Sequence, residues 1–182
     1  VDSQAAGPKF RETIAKIYGR ARRLTDEEYR NVVLPNVVVA CVDAALQCDG
    51  KLLLGKRMSE PYQNGWAYSG GRMIPGESYG MSAGRHVKRD LGLSISPKRF
   101  SFVRSDSWVW SRRAQEPKAW GCHMNGVAVT AVITAKEAAK IAPRGDFSEV
   151  RWWHPGDILM NRRIHPAVRK VVGDILSGQV GD

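Results

Sequence analysis

The sequence predicts a mixed α/β domain with helices on both faces of a sheet. Strand-like and helical runs alternate along the chain, an Asp49-Gly50 turn joins the first two strands, and an amphipathic helix closes the fold. At 182 residues the chain has single-domain size, enough to bury one good core.

Pro8–Leu24 places Phe10, Ile14, Ile17 and Tyr18 at helical spacing among Lys9, Arg11, Lys16, Arg20, Arg22 and Arg23. Three readings fit this basic arm (residues 1–24): an amphipathic helix packed on the domain, the remnant of an organellar targeting segment, or an arm that docks on RNA. Residues 25–182 are read as the domain proper. Thr25 and Glu28 have capping-box spacing and open a short helix to about Val33, which Pro35 is expected to stop. Asn36–Leu46 reads as a buried strand and Lys51–Arg57 as its hairpin partner, followed by a short strand at Trp66–Ser69. Glu77–Leu91 reads as a helix weakened by Gly80 and Gly84. Phe100–Ser111, Val127–Thr134 and Glu149–Trp153 are strand-like, and Ala135–Ala142 is a run of good helix formers. Ile164–Leu176 lines up Ile164, Val168, Val171, Val172 and Ile175 on one helical face.

Composition narrows the function classes. No apolar run approaches the roughly 20 residues of a membrane span, and the N-terminal stretch lacks the apolar centre of a signal peptide. Cys41, Cys48 and Cys122 are odd in number and form no CxxC pair, which argues against a disulfide framework or zinc site and for a reducing, cytoplasmic setting. An organelle is the alternative if the arm is a targeting remnant. The net charge of +10 favours phosphate-bearing partners, without choosing among nucleotide, RNA and other anions.

The chemistry concentrates at Gly71–Leu93. Gly71 is followed by five residues, Glu77, seven residues, and then Arg85-His86-Val87-Lys88-Arg89-Asp90-Leu91-Gly92-Leu93. In a helix, residues 82, 86, 89 and 90 share one face, while Val87 and Leu91 point into the core. This segment resembles the signature of the Nudix hydrolases, with Gly71, Glu77, Arg85, Val87, Gly92 and Leu93 in register. His86, Arg89 and Asp90 stand where that signature has glutamates, so the box is degenerate. The resemblance implies an α/β/α sandwich with a mixed β-sheet. It also implies an Mg²⁺ that bridges carboxylates to a diphosphate, and an Arg85 that reaches back to Glu77. A cation about 4–6 Å from Mg²⁺ would oppose each metal charge by roughly 3–4 kcal/mol, so Arg89 must swing away or hold a phosphate itself.

Within that superfamily the GDP-mannose mannosyl hydrolases are the most similar type. They keep the Arg and the last acid of the box, use one Mg²⁺, and substitute at the anomeric carbon of a nucleotide sugar. Leu52–Trp66, Thr25–Val42 and Arg151–Trp153 resemble further parts of that family. The resemblance implies Gly70, Asp90 and Asp146 as metal ligands and Arg57 on the leaving diphosphate. Phe147 occupies the position of that family's general base, so Glu149 or His123 is the candidate replacement. A homodimer is also left open. The second function class is a catalytically silent Nudix-fold binding or structural subunit in an RNA-containing assembly.

Trp108, Trp110 and Trp120 flank Arg112, Arg113 and Lys118 and either stack on bases or simply pack. Arg162, Arg163 and His165 form either a phosphate patch or a solvated loop. His154-Pro155-Gly156-Asp157 reads as a turn and helix start, since no second ligand sits at chelating spacing.

Overall fold

The computed structural model describes residues 24–178, so the expected N-terminal arm lies almost wholly outside the described residues. A helical segment, α1 (residues 26–36), opens with Thr25 and Glu28 in the reciprocal capping box that their spacing predicts. Pro35 does not stop it. The Leu34 N–H donates to the Tyr29 carbonyl five residues back, a π-type turn that resets the ladder just ahead of the proline.

Seven strands form one mixed sheet. They are β1 (Val39–Cys48), β2 (Lys51–Arg57), β3 (Trp66–Ala67), β4 (Ser69–Arg72), β5 (Ser101–Trp110), β6 (Cys122–Val132) and β7 (Phe147–Trp153). The central pair β1–β6 is parallel, and the other pairings are antiparallel. Long β1 divides one edge between two partners: Cys41–Ala44 pair with β4, and Gln47–Cys48 pair with β2. The expected strand at Trp66–Ser69 is therefore split at Tyr68, whose buried ring packs on the far side of the sheet.

Period-two alternation sends β1 to both faces of the sheet. Val42, Ala44 and Leu46 pack on the long helix α2 (Tyr79–Leu91) through Ala83, Val87 and Leu91. Ala45, with Leu52, Leu54 and Ala128, packs on α4 (Pro155–Met160) and α5 (Pro166–Leu176) through Ile158, Val168, Val171 and Val172. The result is the α/β/α sandwich. The short helix α3 (Ala135–Ala138) ends four residues before its propensity does. Beyond it the Ala142 and Arg144 N–H groups donate to the carbonyls of Leu91 and Asp90, which ties this segment over the end of α2.

Gly80 and Gly84 weaken α2 in propensity but serve its packing: a Cβ at Gly80 would meet the Pro97 carbonyl oxygen at 2.2 Å. The helix closes on Gly92, whose φ of +73° provides the left-handed cap. All three cysteines are buried free thiols. Among the described residues no helix is long and apolar enough to cross a membrane.

Candidate active site

Ser78 caps α2 by accepting the Met81 N–H, and the helix then presents Arg85 to the preceding loop. Arg85 grips Glu77 with both arms, Nε to Oε1 at 2.6 Å and Nη2 to Oε2 at 2.8 Å, and also donates to the Arg72 carbonyl at 2.9 Å. Glu77 accepts the Ile74 N–H as well. Against the upward push of burial, these donors hold the Glu77 carboxyl below its usual range. The loop between β4 and α2 is thus locked by one bidentate pair.

The next residue, buried His86, hydrogen-bonds the same Arg72 carbonyl through Nε2 at 3.0 Å, while its Nδ1 has no partner among the described residues. Burial, reinforced by Arg89 and Arg85, pushes the imidazole down to about 4, so it is neutral at physiological pH.

The three residues expected to hold Mg²⁺ converge, but as a metal site they do not fit. Arg89 donates to both oxygens of Asp90, at 2.6 and 2.8 Å, and to the Gly70 carbonyl at 2.8 Å. Ser69 Oγ donates to Asp90 Oδ2 at 2.8 Å. Asp146 is paired with Arg57 at 2.9 Å. Each donor that would face the metal is already turned to a guanidinium. Among the described residues no three His, Cys, Asp or Glu side chains gather as metal ligands. Arg89 itself does not swing away from the box but folds back on its own neighbour in sequence.

A cavity of about 500 Å³ opens beside this cluster. Arg57, Arg72, Arg89, Arg104 and Arg113 line it together with Asp43, Glu60, Asp106 and Asp146. Arg113 is almost wholly buried and donates to the carbonyls of Gln115 and Glu116, with no carboxylate partner among the described residues. Arg72 stacks on the Tyr29 ring, its guanidinium carbon 3.5 Å from the ring centroid. Tyr62, Trp108, Trp110 and His165 form an aromatic cluster in the wall. The Trp110 and His165 centroids lie 4.7 Å apart, and Trp108 meets His165 edge-on at 5.2 Å.

The NUDIX domain profile matches residues 34–174. The chain belongs to the Nudix family. Among solved structures, this Nudix domain is similar to the MutT NUDIX hydrolase from Burkholderia pseudomallei, with a TM-score of 0.61 and 19% identity over 75% of this chain and 97% of that one. The NUDIX domain of Shewanella oneidensis NrtR, solved with ADP ribose, gives a TM-score of 0.57 and 19% identity over 84% and 99% of the two chains. A bifunctional NMN adenylyltransferase/ADP ribose pyrophosphatase from Francisella tularensis, solved with AMP and a manganese ion, gives 0.57 and 12%; the match covers 94% of this chain but about half, 47%, of that one. At these identities the likeness concerns the fold. No curated protein sequence matches the chain.

The structure does not bring the two proposed bases of this Nudix domain to the cavity. Glu149 lies on β7, with Arg151 as its ion-pair partner at 3.3 Å, and His123 lies on β6 within 2.7 Å of Ser107 Oγ; neither lines the cavity. Trp120 is exposed and lies outside the wall, whereas Trp108 and Trp110 belong to it. Arg162 and Arg163 also lie outside.

Among the acids that line the cavity, Asp43 lies inside an otherwise apolar strand and is not among the residues expected from the sequence. It lies on the β1 face opposite α2, in register with Gly70, where a Cβ would come 2.0 Å from Asp43 Oδ1. Glycine at position 70 therefore makes room for this carboxylate. Burial raises the Asp43 carboxyl to about 6, with Arg57 pulling the other way. A lone Asp amid Val and Ala was the available signal.

Proposed function

We propose that this domain hydrolyses a nucleoside diphosphate-linked sugar of the GDP-mannose kind by substitution at the anomeric carbon. One observation carries the reading: a single cavity joins an aromatic wall, guanidinia and a half-buried acid, Asp43, raised toward neutrality. The base would lie against Trp108, Trp110 and Tyr62. The diphosphate would take Arg57 together with Arg72 and Arg113, two cavity arginines without carboxylate partners among the described residues. Asp43 would accept a proton from water as its oxygen bonds to the anomeric carbon. The bond to the diphosphate oxygen would break with its electron pair leaving on the nucleotide. No step is routed through Mg²⁺, because its donor set does not fit. Ligands of the solved neighbours support the ligand class: ADP ribose in one and AMP in another.

Turnover of GDP-mannose in ¹⁸O-labelled water tests this. The label should appear in the released sugar and not in GDP; label in a phosphate would mean attack at phosphorus and would refute the mechanism.

The second reading is a catalytically silent binding subunit, and the engaged Asp90 and Asp146 favour it. Absence of any nucleotide-sugar turnover, together with RNA binding that weakens steeply with salt, would establish that reading in place of the first.

A further inference from the structure

We propose that the Arg89 guanidinium is the resident cation of this site, standing where a divalent metal is expected, so that a diphosphate-bearing ligand binds without Mg²⁺. The inference rests on the ligand class proposed above, but its metal half stands on geometry alone.

A metal at this box would need Asp90 and the Gly70 carbonyl. Arg89 Nη2 bonds both of them, and Arg89 Nε takes the other Asp90 oxygen. With Ser69 Oγ added, Asp90 accepts three hydrogen bonds, most of what a carboxylate's lone pairs allow. The Asp90 side chain is 2% exposed. Gly145 closes over it, since a Cβ there would lie 2.6 Å from Oδ1. Mg²⁺ demands near-octahedral geometry, and at Asp90 the positions its other ligands would take are held by the Arg89 guanidinium and by Gly145. A metal would therefore have to displace the guanidinium from both donors.

The guanidinium does more than fill space. Its side chain is 46% exposed and lines the cavity, and its Nη1 takes no part in the bonds to Asp90 and Gly70. Fixed at its inner edge through Nε and Nη2, it leaves Nη1 to donate to phosphate oxygens. Arg57, anchored by Asp146, flanks the same cavity. Two positioned guanidinia thus occupy the region where a metal would neutralise the diphosphate.

The test uses the purified full chain, Mn²⁺ as a paramagnetic probe and GDP as the diphosphate. Wild type should bind no Mn²⁺ at the box, and GDP affinity should be the same in EDTA as in Mg²⁺. Arg89→Ala should weaken GDP by about tenfold or more, as loss of a charge-assisted hydrogen bond does. Arg89→Glu should gain Mn²⁺ binding that Asp90→Asn then removes; Arg89→Ala, which frees the same donors, serves if that variant fails to fold. Mn²⁺ bound by wild type and lost in Asp90→Asn overturns the inference. GDP binding that requires Mg²⁺ overturns it too, while leaving the proposed function standing. No GDP binding under any condition overturns the proposed function and the anion half of the inference, and the Mn²⁺ titration still decides the metal half.

Discussion

Replacing Arg85 by alanine removes the clamp between loop and helix, and its cost can be worked from the contacts. Arg85 makes two charge-assisted bonds to Glu77, one to the Arg72 carbonyl and a longer one to Ser82 Oγ. A hydrogen bond to a charged group contributes about 1.5–3 kcal/mol, and stranding a buried carboxylate adds a penalty. Two features moderate this: the Arg85 side chain is 35% exposed, so water screens the pair, and Glu77 keeps the Ile74 N–H. The expected loss is about 1–2 kcal/mol, or roughly 2–8 °C in melting temperature for a domain of this size. Urea unfolding of the wild type, Arg85→Ala, Glu77→Gln and the double variant would give both the cost and the coupling. A coupling energy indistinguishable from zero would refute the clamp, because the pair would then be two independent surface charges.

Two further outcomes follow from His86 and Asp43, whose titration desolvation shifts. His86 has its ordinary value in the unfolded chain but is pushed to about 4 when folded. Its contribution is therefore fully present above about pH 6.5 and is lost as pH falls through that window, by up to about 3 kcal/mol. Urea titrations should show a shallower acid decline for His86→Gln than for wild type, and parallel curves would reject the assignment. Asp43→Asn should lower kcat for nucleotide-sugar hydrolysis by about 10²–10⁴-fold while GDP affinity holds, as expected for a lost general base. Unchanged kcat would remove Asp43 from the mechanism.

Much of the scaffold is legible in the sequence because it rests on spacing. Val87 and Leu91 point inward, and Glu77 meets Arg85 across eight residues, since a helix repeats every 3.6 residues and the loop between is short. The Asp49-Gly50 hairpin is read as easily, both residues having positive φ. What fails is what tertiary contact decides. The run Ala135–Ala142 has helix propensity throughout, yet the chain leaves the helix after Ala138 to cross the end of α2. Asp43 lies at an ordinary position in a strand, and only the pairing of β1 with β4 and β6 shows that its register partners are Gly70 and Ala128. Arg89 and Asp90 are adjacent in a helix, where side chains diverge by about 100° and are not expected to pair. Their bidentate contact forms because Arg89 curls over toward Gly70, a target set by the fold.

The departures on this face of α2 depend on one another. Arg85 and Arg89 are one turn apart, a repulsive spacing for like charges, and each is answered by its own acid, Glu77 and Asp90. His86 lies buried beside both, and an imidazole held neutral adds no third charge between them. A glutamate at position 86 would be a buried carboxylate in need of a partner. The nearest cations would have to leave Glu77, opening the loop, or Asp90, freeing the aspartate that Arg89 now covers. Restoring one acid alone would therefore redistribute the existing ion pairs before it produced a metal site. Arginine at 89 and a neutral residue at 86 make a consistent arrangement, in which the helix keeps the loop clamp while its inner face carries a fixed organic cation.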